Sequence, residues 1–258
     1  MRYNKTNLVL YILTILCIFI PPLSSVPFDP RETPRVVFEV LSKTAGAYTW
    51  LSPLVHVATL TLLYLLYRDG ERYGRMVAAF FGALFTFFAF GQNIAVTEDY
   101  GLVVITSNLT ITLIVGIFWL MEALRPRNSY VFSRLPLWRY WVVPFSILAF
   151  WFPLGSDLGP DFNPLLLLTS DFGVTVCPTA PVAIALLTLV YPDVNARLLA
   201  VTSLVGFMLG LFNVMSLVVM PGYTTWLLVL HMPLILISFY GLAMPFLIKG
   251  THTSELKI

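Results

Sequence analysis

The densest run of chemically capable residues is Asp171-Phe172-Gly173-Val174-Thr175-Val176-Cys177-Pro178-Thr179-Ala180-Pro181. It sets a carboxylate, a thiol and two hydroxyls beside two prolines that bracket one helical turn. Proline has no backbone donor, so each one frees a carbonyl in the helix that holds it, and free carbonyls inside a membrane can line a cavity or surround a cation. A kinked helix that holds a proline in its first turn without strain accounts for the same residues. Four more polar side chains, His56, Asn108, Asn213 and His231, lie inside long apolar runs. With Asp171, Cys177 and Thr179 they form the candidate ligand-binding set.

These residues sit in a chain of 258 residues that is 58% hydrophobic and only 11% charged, with a mean hydropathy of +0.85. That balance excludes a soluble protein and points to an all-α, polytopic membrane protein. A bilayer core of about 30 Å needs roughly 20 apolar residues per helix. The apolar runs bounded by Pro, Gly and charge are 7–26, 48–67, 76–94, 101–124, 138–154, 174–191, 196–220 and 224–248. About eight transmembrane helices are expected, and they leave no room for a soluble domain, so residues 1–258 read as a single integral membrane domain. The period-2 alternation of a barrel strand is missing, and runs such as 80–90 are apolar on every side.

Lys and Arg distribution orients the spans. With the N-terminus inside, twelve of the fifteen cationic residues face the cytoplasm and only Arg31, Arg35 and Lys43 face out. Both termini are then cytoplasmic, in a multi-pass protein of the cell membrane. The outer loops are acidic, with Glu98, Asp99, Asp157, Asp161 and Asp171. The first run, flanked by Arg2 and Lys5 and followed by Pro21-Pro22, also has the outline of a signal peptide. Residues 7–26 are long enough to span, so the run is expected to be retained. The segment 27–43 is read as either a short amphipathic helix on the outer surface or a solvated loop.

On this threading, His56, Asn108, Asn213 and His231 all lie roughly 10–13 Å below the outer surface at about 1.5 Å per residue. Gln92 and Asn93 end their helix on the same side, and Asp171, Thr175, Cys177 and Thr179 open the sixth span. The cytoplasmic halves are almost wholly apolar. Either these side chains converge on a polar pocket reached from outside, or they hydrogen-bond between helices for about 1 kcal/mol each.

The run Phe172-Gly173-Val174-x-x-Cys177-Pro178-Thr179 follows a Phe152-Pro153-Leu154-Gly155 turn and precedes two more apolar spans. It resembles the F-G-V-x-x-C-P-T signature of an uncharacterised family of prokaryotic multi-pass membrane proteins. The likeness covers residues 140–240. It implies a membrane fold and draws attention to the motif, but the family brings no assigned activity, site role or cofactor, and the cofactor is left unknown.

Net charge is +2, with 15 Lys and Arg against 13 Asp and Glu, too little basic surface for nucleic acid. Neither Cys17 nor Cys177 suggests a disulfide framework. Soft ligands in the outer half (Cys177, His56, His231, with Met215, Met220 or Met232) would suit Cu(I), yet no recognisable metal motif holds them, and no metal is assigned. His252 lies in the polar tail and reads as solvated. Catalytic motifs such as Gly-x-Ser-x-Gly and His-Glu-x-x-His are missing too.

Three functions remain. The first is a small-solute or ion carrier or channel with its polar site in the extracytoplasmic half. The second is a non-catalytic subunit of a larger membrane complex, in which a homo-oligomer or other partners would use Gly206–Gly210 and the many aromatics. The third is a membrane enzyme near the outer surface, with His56 or His231 as base and Asp171 orienting it. The bilayer is the partner common to all three.

Overall fold

Apolar runs become helices until a proline, a left-handed residue or a turn stops them. The computed structural model describes residues 5–132, 135–219 and 222–248. Both termini, Arg134, Met220 and His252 lie outside the described residues. The helices are α1 (Lys5–Leu16), α2 (Thr33–Ala47), α3 (Ser52–Arg68), α4 (Gly70–Phe87), α5 (Thr106–Leu124), α6 (Val142–Trp151), α7 (Leu166–Thr169), α8 (Val176–Leu189), α9 (Ala196–Val219) and α10 (Thr225–Leu247).

Among the described residues five helical segments are long and apolar enough to cross a membrane: Thr49–Arg68, Gly70–Gln92, Thr106–Leu124, Ala196–Val219 and Thr225–Leu247. All eight expected runs contain helix, but three of those helices are short. α1 has 12 residues, α6 has 10 and α8 has 14. The causes are local. α1 gives way to a 3-10 turn, Cys17–Phe19, ahead of Pro21-Pro22. α6 stops at Phe152, which is left-handed (φ 41°) and precedes Pro153. α8 is confined between Gly173 and Pro192.

Two expected boundaries need correction. Runs 76–94 and 101–124 were read as helix to their outer ends, whereas Ile94–Thr97 (β2) and Gly101–Val104 (β3) form an antiparallel hairpin. Leu23–Ser24 (β1) pairs with the other edge of β3. The β-branched residues of 94–104 flank a turn that ends at Gly101, with φ +64°. There the Ser25 hydroxyl, which accepts from Leu102 N, would lie 2.2 Å from an added Cβ. Four-residue strands bordered by apolar helix give too short an alternation to stand out.

The segment 27–43 is largely helical. Thr33 and Pro34 begin α2. Its buried residues Val36, Val40 and Thr44 recur every fourth position, and the two valines pack with Tyr100, Val103 and Ile105 beneath the hairpin. The Thr44 hydroxyl donates to Gln92 O at 3.0 Å, and Arg35 meets Asp99 at 2.9 Å. Both members of that ion pair are exposed, so it holds α2 only weakly.

The bundle itself pairs α4 with α5 and α9 with α10, and buries α8 against α6, α9 and α10. Close approach of α9 and α10 uses the Gly206–Gly210 step. A Cβ at Gly206 would come within 2.4 Å of Ser238 Oγ, and one at Gly210 within 2.4 Å of Ile235 Cγ1. This small-residue step therefore packs inside the chain and is not free for a partner helix.

Candidate functional site

Beneath α2 lies a cavity of about 630 Å³. That size suits a small-molecule site. Its floor is the start of α8 with Asp171, Thr175, Val176, Cys177 and Pro178. Its walls are Val37, Phe38, Leu41 and Ala45 from α2, Ser107, Asn108 and Thr112 from α5, and Leu209, Phe212, Asn213 and Val219 from α9. Tyr223, Leu227 and His231 complete the circuit.

Several local devices shape this space. The end of α4 widens into a π-turn, Phe88–Gln92, and Asn93 Nδ2 donates to the Phe88 and Ala89 carbonyls at 2.9 and 3.3 Å. Such a bulge turns the next side chains away from the regular helical face. It brings Gln92 to the tip of α8, where its Oε1 accepts from Val176 N at 3.0 Å. One of the orphan donors of α8 is thus satisfied by a different helix. Gly173 (φ +79°) makes the preceding turn, and a Cβ there would lie 2.2 Å from Val55 Cγ1. Thr179 Oγ1 accepts from Gly173 N at 2.8 Å and donates to Thr175 O at 2.7 Å, which closes that turn.

Of the seven candidate residues, Asn108, Asp171, Cys177, Asn213 and His231 line the cavity. His56 and Thr179 do not. Thr179 is occupied by the turn just described. His56 is buried at the α3–α6 contact: Nδ1 lies 2.8 Å from Ser52 O, and Nε2 lies 3.1 Å from Ser170 Oγ and 3.4 Å from Phe150 O. Phe150 and Phe172 cover its ring, with centroids at 4.7 and 5.2 Å. A histidine with both nitrogens engaged and its faces packed is a structural crosslink.

His231 is arranged differently. Its Nδ1 lies 2.6 Å from Leu227 O, one turn back in α10, so Nδ1 carries the proton and donates. Nε2 keeps its lone pair and makes no hydrogen bond among the described residues. Tyr223 OH, 3.4 Å from Nδ1, donates to Asn213 Oδ1 at 3.0 Å. Asn213 Nδ2 donates to Leu209 O at 2.9 Å and reaches toward Cys177 Sγ at 3.7 Å. The pairing of a histidine base with Asp171 is not formed, since a backbone carbonyl orients His231. Asp171 uses its own carbonyl to accept from Val174 N and Thr175 N. Its carboxylate has no hydrogen bond or ion pair among the described residues, and burial pushes that carboxyl above the usual carboxylate range. Such a group gains from meeting a proton or a cation.

At the opposite end of the bundle Glu122 and Arg139 tie loops to helix ends. Glu122 accepts from Arg127 N, Asn128 N and Asn195 Nδ2. Arg139 Nη1 donates to the Leu189 and Tyr191 carbonyls, capping the C-terminus of α8. In the loop beside the cavity, Asp157 and Asp161 stabilise turns by accepting from Gly159 N and Asn163 N, both at 3.0 Å. Among the described residues no three His, Cys, Asp or Glu side chains gather closely enough for a metal. Of the soft ligands, Cys177, His231 and Met215 share the cavity wall, while His56 is remote.

Sequence reasoning did not single out Tyr223 or the α2 wall. Tyr223 lies just before α10 and bears no mark of its role beyond its amphipathic side chain. Residues 37, 38, 41 and 45 do repeat at helical spacing beside 36, 40 and 44, a signal of a helix apolar on two faces. No protein-family model, curated protein or solved structure matches the chain.

Proposed function

We propose that the protein is a multi-pass membrane protein that takes a small amphiphilic solute into the cavity under α2, as the binding step of a carrier. On this reading the hairpin end is extracytoplasmic, the arginine-rich end and both termini are cytoplasmic, and α1, α6 and α8 complete eight crossings with their flanking turns. The observation that supports it best is the cavity wall itself. Apolar side chains of α2 and α9 offer room for a hydrocarbon chain, and Asn108, Asp171, Cys177, Asn213, Tyr223 and His231 supply polar contacts for a head. Sites of this kind bind mainly by apolar burial and orient the ligand with a few polar groups. The other end holds a smaller pocket of about 420 Å³, lined by Arg127, Val194, Asn195, Ala196 and Arg197, which offers no comparable apolar wall for a hydrocarbon chain.

Cys177 provides a direct reporter. In a Cys17→Ser background, saturating dodecan-1-ol should slow labelling of Cys177 by N-ethylmaleimide several-fold, and Ala45→Trp, which fills the space beneath α2, should remove that protection. Labelling that is indifferent to the alcohol in the unfilled protein would dismiss the cavity as a ligand site.

A further inference from the structure

The ionisable composition of the cavity wall is one-sided. Among the described residues Asp171 is its only acidic residue and neither Lys nor Arg lines it. Around His231 the polar atoms are committed: Asn213 Nδ2 is held by Leu209 O, Asn213 Oδ1 accepts from Tyr223, and His231 Nδ1 donates to Leu227 O. The groups left for a ligand include the amide donors of Asn108 and Gln92 and the acceptors Asp171 carboxylate and His231 Nε2, and Asp171 has no ion pair among the described residues. The Tyr223 oxygen, whose proton goes to Asn213, adds lone pairs to the same wall.

We propose, building on the reading of this cavity as an amphiphile site, that the head group it takes is a protonated amine, with Asp171 as its counter-ion and the apolar faces of α2 and α9 around its chain. An ammonium brings three donors and a positive charge to a wall whose described residues carry a carboxylate and no cation. A phosphate or carboxylate head would instead face a carboxylate with no cation nearby, in surroundings where water screens little. A hydroxyl head can satisfy one acceptor but leaves the Asp171 charge unmatched. Phe38 and Leu41 of α2 and Phe212 of α9 give the wall its apolar surface for an alkyl chain.

The test is equilibrium binding of radiolabelled dodecylamine, dodecan-1-ol and dodecyl phosphate to the full chain in phosphatidylcholine nanodiscs at pH 7, with binding to protein-free nanodiscs subtracted. The expected order is amine over alcohol by about tenfold, the scale of one charge-assisted hydrogen bond, with dodecyl phosphate weakest. Asp171→Asn should abolish the amine's advantage over the alcohol, while Asp171→Glu should keep the preference. Equal binding of amine and alcohol by the wild-type protein, or an Asp171→Asn variant that retains the amine preference, would overturn the counter-ion role while leaving the cavity as an amphiphile site. Binding of none of the three above protein-free nanodiscs would overturn the cavity reading along with it. If Asp171→Asn fails to fold, the wild-type preference alone decides.

Discussion

Gly173→Val is expected to cost about 3 kcal/mol or more and to abolish solute binding, because it combines a left-handed backbone with a steric collision. The backbone at Gly173 has φ +79°, and an added Cβ would lie 2.2 Å from Val55 Cγ1 and 2.8 Å from its Cβ. Rotating Val55 can move its Cγ1, but its Cβ is fixed on the α3 backbone and the collision there remains. The turn would have to open, and it cannot do so quietly. Thr179 would lose the Gly173 N–H it accepts from, and the alignment of Val176 N with Gln92 would go with it. Thermal unfolding in nanodiscs, read by tryptophan fluorescence, checks the stability loss, and Cys177 protection checks the binding. A Val55→Ala change on the Gly173→Val background should recover part of the loss. A Gly173→Val protein that melts and binds like the parent would mean the turn does not position the floor of the cavity.

The two membrane-embedded histidines are expected to part company under substitution. His56→Ala removes a ring whose two nitrogens bridge Ser52, Phe150 and Ser170, and which Phe150 and Phe172 enclose. It leaves a void among packed rings, which costs about 2–4 kcal/mol. Folded protein should still bind solute. His231→Phe keeps the ring volume, and Leu227 O retains the backbone bond from residue 231 within α10, so stability should change by less than about 1.5 kcal/mol. Solute affinity should fall roughly tenfold through loss of the Nε2 acceptor. Paired melting and binding curves distinguish the roles. Equal destabilisation by both changes, with equal binding, would make His231 a second crosslink.

Much of this arrangement was legible in the residues, and the gaps have physical causes. Long apolar runs announce helices because a membrane span has to be continuous, and all-α architecture follows. Their true lengths depend on Pro21-Pro22, Phe152 and Gly173, whose effects are set by backbone angles that hydropathy does not register. The depth of Asn108, Asn213 and His231 below one surface indicated a common layer, because depth scales with position along a helix. His56 sits at a similar depth yet on a different interface. Depth fixes one coordinate only, and rotation about a helix that is apolar all round is invisible in its sequence. Thr179 illustrates a second limit: its hydroxyl serves a turn six residues upstream, a local bond no side-chain inventory distinguishes from a ligand contact. The hairpin 94–104 escaped notice because four-residue strands of Ile, Val and Leu look like the end of a neighbouring span.

The claim at the centre of this account is that the space under α2 holds an amphiphile. Native mass spectrometry of the protein extracted from its own membrane in mild detergent tests it most directly. The expected spectrum shows the chain with a bound small molecule of lipid-like mass, retained at low collision energy and lost from Ala45→Trp. A wild-type protein free of any such mass, or an adduct that survives unchanged in Ala45→Trp, would contradict it.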